Sequence, residues 1–279
     1  MDFKNNITDI QKSFGLQAQS FDSNGYHLSK AEYQQYMIDR TGPQKTDRVL
    51  EVAAGTCICG RAFAPYAAKV TCLDATPAML QVGREEAEKA GLINMEFVEG
   101  MAENLPFADK SFDIVMSRLA FHHFVNPDKI FTEMKRVLKP GGKLILMDMT
   151  VQEDTLQSRV NSLEKPQDRT DVLEALRDKV DFLERMRDFS HVRDLTLGEM
   201  RDLYSKNGLQ ILLQEQMDIP VSLNGWMALT HTPEHAQEEI IRRMEQDMAG
   251  GEPTGFAPYR KDGEIYFNHH WVFNMGTYA

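Results

Sequence analysis

The sequence predicts an α/β protein organised around a mostly parallel sheet, and three observations carry that prediction. Between residues 48 and 150, short apolar runs alternate with longer helical patterns, the order that strand–helix–strand units produce. The first run ends in a loop of small residues, Ala53-Ala54-Gly55-Thr56-Cys57, that opens a helical pattern. Lys139-Pro140-Gly141-Gly142 breaks a helix directly before another apolar run.

Taken in order, residues 1–45 are polar with scattered aromatics, Phe14, Phe21, Tyr26, Tyr33 and Tyr36, and are expected to give one or two short helices. One is predicted over 27–40, stopped by Thr41-Gly42-Pro43. Buried strands are predicted at 48–53, 69–73, 95–98, 112–117 and 143–147, separated by helices near 59–67, 77–90 and 127–138. Beyond 150 the pattern is less regular. Residues 151–188 carry charge and Leu at helical spacing. A helix is expected at 195–206, a strand at 209–213 and an amphipathic helix at 233–248. A Gly/Pro-rich loop at 250–258 precedes a strand at 264–275.

The chain has 279 residues, enough for one large domain or two small ones. With 31 Lys and Arg against 42 Asp and Glu, its formal charge is −11. Phosphate backbones and anionic membrane surfaces repel such a chain, so neither nucleic acid nor membrane is an expected partner. No apolar run approaches the roughly 20 residues of a membrane span, and the start, MDFKNNITDI, has no apolar signal core. Three cysteines, Cys57, Cys59 and Cys72, do not make a secreted disulfide framework. They read as reduced thiols of a cytoplasmic protein. Cys57 and Cys59 lack the spacing and second cluster of a zinc site and read as small packed residues; no metal is expected.

The small-residue loop lies at the carboxyl end of the first strand, where open α/β sheets bind ligands. A dinucleotide would set its pyrophosphate on the helix N-terminus there. Glu51, just before the loop, would repel it; a carboxylate attracts an ammonium instead. S-adenosylmethionine (SAM) has an ammonium and no phosphate, so Glu51 favours SAM over NAD, unless Glu51 merely faces solvent. Asp74 ends the second strand, where its oxygens can accept both hydroxyls of a ribose. Capping the helix that begins at Thr76-Pro77 is its other reading.

With these residues in view, the run from 48 to 149 resembles the class I SAM-dependent methyltransferases of the UbiE-like, methyltransferase-11 type. Five motifs stand in order: LEVAAGTCICG, LDATPAML, VEGMAENLPFADKSFDIV, SRLAFHHF and RVLKPGGKLILMD. Ser190-His191-Val192-Arg193 and the closing strand resemble the YcgJ-like subgroup. The resemblance implies a Rossmann-like, seven-stranded, mostly parallel sheet with helices on both faces, an antiparallel last strand near 265–275 and a helical cap. It divides the chain into an N-terminal helical lid at 1–45, a SAM-binding core at 46–150 and an acceptor-pocket cap with the final strands at 151–279.

Carried over by position, Glu51, Ala53 and Gly55 would border the methionine moiety and Asp74 would hold the ribose. Ala75 and Met79 would flank the adenine or ribose, Met101, Ala102 and Glu103 would line the adenine edge, and Ser117 and Arg118 would lie near the methyl group. Two departures stand out. Ala53 and Cys57 replace glycines of the loop, and Cys57 is expected to place a side chain beside the cofactor. Met101 replaces an Asp, at the loss of a hydrogen bond worth about 1 kcal/mol.

His122 and His123 follow the fourth strand, where one can serve as a base or acceptor contact; neighbours in sequence are expected to face apart, so one at most should point inward. Packing is the alternative for both. His269 and His270 fall in a strand and should face opposite ways. Tyr26, His191 and Arg193 are further candidates for the acceptor site, with Phe14 and Phe21 as parts of a closing lid; packing and local ion pairs are the competing readings. The expected activity is transfer of the SAM methyl group to a small-molecule acceptor, leaving S-adenosylhomocysteine, by a monomer or homodimer. A SAM-binding protein without transfer, motivated by Cys57 and Met101, and an NAD-dependent oxidoreductase are the alternatives.

Overall fold

A computed structural model describes residues 3–18, 21, 30–151 and 166–278. Tyr26 lies outside the described residues, as do 152–165. Among the described residues two helices precede the sheet, α1 (Phe3–Gln17) and α2 (Ala31–Thr41), the second ending on Gly42 in the left-handed region. Then follow β1 (Arg48–Val52), α3 (Ile58–Phe63), β2 (Lys69–Asp74), α4 (Pro77–Lys89), β3 (Met95–Glu99), β4 (Phe112–Arg118), α5 (Pro127–Val137) and β5 (Leu138–Met149). The second half adds α6 (Pro166–Arg187), α7 (Leu197–Lys206), β6 (Gln210–Ser222), α8 (Leu223–Leu229), α9 (Glu234–Met248), β7 (Tyr259–Lys261) and β8 (Glu264–Thr277). Among the described residues no helix is long and apolar enough to cross a membrane.

One sheet runs β3-β2-β1-β4-β5-β8-β6, with β7 paired to β8. Strands β1 to β5 are parallel, and β8 is antiparallel to both β5 and β6. The antiparallel closing strand is therefore as expected. Among the described residues the sheet has eight strands rather than seven, because Asp262-Gly263, both at positive φ, turn β7 into a short hairpin with β8. Asp-Gly is a strong hairpin signal that the sequence reading passed over.

Two other elements exceed their expected lengths. β6 was placed at 209–213 but continues to Ser222, because β8 gives it a partner along its whole length. Pro220 is tolerated because β6 is an edge strand. β5 starts at Leu138 rather than 143: the Lys139–Gly142 turn is taken into the strand as an irregularity opposite Phe112 and Ile114, with Gly141 at φ +73°. A side chain at Gly142 would meet the Asp113 carbonyl at 2.8 Å.

Because side chains alternate across a strand, the apolar strands feed two cores. Leu50, Leu73, Val115 and Leu144 pack on one face with Phe131, Met134 and Tyr204 from α5 and α7. Val49, Val70, Ile114 and Ile145 pack on the other with Met37, Phe63, Trp226 and Trp271. This sandwich fixes the carboxyl ends of β1, β2, β4 and β5 side by side.

Candidate active site

The loop between β1 and α3 has an uncommon backbone. Ala53 (φ +54°), Gly55 (+54°) and Cys57 (+61°) are all left-handed, a conformation that costs a residue with a side chain about 1–2 kcal/mol. Hydrogen bonds hold it there: Ala54 N–H donates to Leu73 O (3.0 Å), Cys57 N–H to Ala54 O (2.8 Å) and Gly55 N–H to Asp74 Oδ2 (2.7 Å). Ala53 and Cys57 thus adopt a glycine-like backbone while carrying side chains. The expectation for Cys57 is corrected, since its side chain turns into the core and leaves the cavity wall. At Gly55 an added methyl would meet Met79 Cε at 3.1 Å, so glycine keeps the cavity open.

Both acidic residues are buried rather than solvated. Glu51 Oε2 accepts the Gly60 N–H of α3 at 2.7 Å. Burial pushes its carboxyl up to about 7, against that N–H and the charge of Arg118. Asp74 accepts Gly55 N–H on Oδ2 and Thr76 N–H (2.8 Å) on Oδ1. Burial raises this carboxyl too, against the two N–H groups. Asp74 therefore holds the turn just ahead of α4 without capping the helix, whose N-cap is Thr76, and each oxygen keeps a further lone pair. Cys59 and Cys72 are fully buried around Glu51, and burial pushes the Cys59 thiol up to about 12.

One cavity joins these groups. Glu51, Ala53, Gly55, Asp74, Met79 and Arg118 line it from the sheet. Ile10, Phe14 and Phe21 cover it, with His123 at its far end. α1 is latched over it by Gln11 Nε2 to Ala75 O (2.7 Å), Asn6 Nδ2 to His123 O (3.1 Å) and Ser13 Oγ to Asp188 Oδ1 (2.9 Å).

A second cavity shares Phe14, Phe21, Leu119 and His123 with the first. Met149, Trp226 and Leu229 give it apolar walls, and His122, Arg187, Asp188 and His269 give it polar ones. Both His122 and His123 face this space, which corrects the expectation that one at most would. They sit in a single 3-10 turn, Phe121–His123, at the end of β4, where no helix continues to splay them apart; their ring centres are 4.1 Å apart. His122 Nδ1 meets Asp148 Oδ1 at 2.6 Å. Burial opposes charge on His122, but Asp148 overrides it and raises the imidazole to about 9. His123 goes the other way, to about 3, by burial and then by the charge of His122.

Residues 50–146 match the family described as Methyltransferase domain. The chain is 34% identical over 209 residues to the uncharacterised methyltransferase YcgJ of Bacillus subtilis, covering 75% of each. The YcgJ crystal structure matches with a TM-score of 0.72, covering 89% of this chain and 99% of that one at 28% identity. A putative methyltransferase from Bacillus halodurans matches with a TM-score of 0.73 at 25% identity, over 88% and 99%. The chain belongs to the class I SAM-dependent methyltransferases.

The cavity of this methyltransferase suits that donor. Beside Arg118, its wall offers two carboxylates, hydrogen-bond acceptors for an ammonium and a diol, and a glycine-lined backbone. Of the other expected site residues, Ala75 presents its carbonyl to α1. Ser117 is fully buried, its Oγ without a partner among the described residues. Met101, Ala102 and Glu103 lie outside the cavity wall, just past β3, where Gly100 N–H donates to Asp74 O (3.0 Å). Arg193 is not brought in; it pairs with Glu199 at 2.8 Å. His191 is buried behind His122, its Nε2 on Asp181 Oδ1 at 2.8 Å. His269 is buried and His270 pairs with Asp218, the opposite facing expected of a strand.

Asp148, Arg187, Asp188 and Ser190 were not singled out from the sequence. Asp148 had a signal: it closes the apolar run of β5 as Asp74 closes that of β2. The others come from the cap, whose approach to β4 no local pattern announces.

Proposed function

We propose that this methyltransferase moves the methyl group of SAM to a small-molecule acceptor. The observation that carries the reading is the single cavity in which Glu51, Gly55 and Asp74 meet beneath α1 and which adjoins an apolar-walled second cavity. Bound there, SAM supplies a methyl group activated by a positive sulfur. Glu51 faces the ammonium, Gly55 lets the methionine end approach the backbone, and Asp74 accepts the ribose hydroxyls. Ala75, Met79, Met101, Ala102 and Glu103 serve the adenine side; Ala53, Ser117 and Arg118 border the methionine end. Ile10, Phe14 and Phe21 keep water out, so that alignment of two dry reactants supplies most of the rate. The positive charge leaves the sulfur during transfer, so the site need not stabilise a new anion.

The reading without transfer loses one of its motives, because Cys57 does not face the cavity. The test is formation of S-adenosylhomocysteine from SAM over a panel of small hydroxyl, thiol and amine acceptors. Turnover with wild type and none with Asp74→Ala is expected. Turnover untouched by Asp74→Ala would overturn the placement of the donor.

A further inference from the structure

We propose that His123 is the general base of the reaction and that the acceptor is a weakly acidic hydroxyl, a phenol or enol, on an apolar ring. The inference rests on the donor placement above. Four observations carry it.

Among the described residues His123 is the one titratable side chain that lines both cavities, so it stands where donor and acceptor would meet. Its tautomer is fixed by its surroundings. Nδ1 lies 3.1 Å from the Ser190 carbonyl oxygen, which can only accept, so Nδ1 carries the proton. Nε2 then holds the lone pair, and among the described residues nothing bonds it.

Two positioning residues brace this arrangement. Ser190 Oγ also lies 3.1 Å from Nδ1 and donates to Asp188 Oδ1 at 2.6 Å. Asp188 Oδ1 further accepts Ser190 N–H (2.9 Å) and Ser13 Oγ (2.9 Å) from α1. A buried carboxylate thus stands behind the base, joined to it through one hydroxyl. It is latched by the same helix that covers the donor cavity.

The chemistry narrows the acceptor. A thiol ionises near neutral pH unaided, and a neutral amine attacks with its own lone pair; a phenol-like hydroxyl, with a pKa near 10, does neither. A neutral, oriented imidazole matters most for the hydroxyl. In the step, the oxygen lone pair forms the new O–C bond and the C–S bonding pair returns to sulfur. The hydroxyl proton passes to His123 Nε2. A base weakened by burial suffices, because the oxygen becomes a strong acid as the O–C bond forms. Positive charge moves from sulfur to an imidazolium backed by Asp188, so the enclosed site keeps its net charge. Phe14, Phe21, Leu119, Met149, Trp226 and Leu229 supply the apolar walls for the ring.

The experiment compares naphthol, naphthalenethiol and naphthylamine as acceptors under saturating SAM, with wild type and His123→Asn. Wild type is expected to methylate naphthol. His123→Asn should cut naphthol transfer about 100-fold and thiol transfer by a far smaller factor, with SAM binding followed by calorimetry. Equal losses on both acceptors would make His123 a packing residue and overturn the proposal. So would undiminished naphthol transfer, or a wild type that binds SAM but methylates only thiol, only amine or none of the three. A wild type that does not bind SAM would instead sink the donor reading. Should His123→Asn fail to fold, nitrogen NMR of histidine-labelled wild type decides. The Nδ1–H tautomer of His123 is expected, and the Nε2–H tautomer would leave no lone pair facing the cavity.

Discussion

The two cavities are built by different means. The donor side is a backbone construction. Three left-handed residues, the ends of three parallel strands and two carboxylates that accept main-chain N–H groups lie within residues 51–118. The second cavity, proposed above as the acceptor side, is a side-chain construction. His122 and His123 from the β4 turn, Asp148 from β5, Asp188 and Ser190 after α6, Trp226 from α8 and His269 from β8 converge from across the chain. Backbone geometry tolerates change in the side chains around it, as Ala53 and Cys57 show. A buried polar network does not, because each member left unpaired costs about 1–3 kcal/mol.

The sharpest way to break the donor half is Asp74→Ala. It removes two charge-assisted contacts to a ribose, each worth about 1.5–3 kcal/mol, and SAM affinity should fall at least about 100-fold by calorimetry. The acceptor half shows itself through pH. His122 is raised to about 9 in the fold by Asp148, above its unfolded value near 6.5. Its stabilisation is complete below about 6.5 and is lost as pH rises through 9, at most about 3 kcal/mol. Thermal melts of the wild type should fall over that window, and Asp148→Asn should flatten the slope.

Glu51 tests the donor half more finely. Its carboxyl sits at about 7 without a cation, and a bound ammonium favours the ionised form. SAM affinity should weaken as pH drops below 7, by up to about tenfold per unit. Glu51→Gln should bind about tenfold more weakly at pH 8 and lose this dependence. The smallest effect is expected from Ala53→Gly. Relief of φ +54° outweighs the chain entropy of glycine, so the protein should gain up to about 1 kcal/mol in denaturant unfolding.

The same contrast explains what could be read in advance. The parallel core was legible because each of its strands and helices carries its own period and stop signal, from Arg48 to Met149. Glu51, Gly55 and Asp74 were legible because they sit at fixed offsets from strand ends. β6 was cut short at 213 because its continuation, Gln214–Ser222, is polar and contains Pro220; pairing with β8, not local preference, makes it a strand. His122 and His123 were visible as residues but not as a pair, since their common facing depends on a turn. Asp188 and Ser190 reach the site through contacts with Ser13 and His123, residues 67 or more positions away, which no periodicity encodes.

The central claim is that the pocket formed by Glu51, Gly55 and Asp74 holds a phosphate-free nucleoside that carries an ammonium. It is tested most directly by calorimetric titration of the wild-type protein with SAM, S-adenosylhomocysteine and NAD at pH 8. The account predicts saturable binding of both sulfur nucleosides and none of NAD. Tighter binding of NAD, or no binding of SAM, would contradict it.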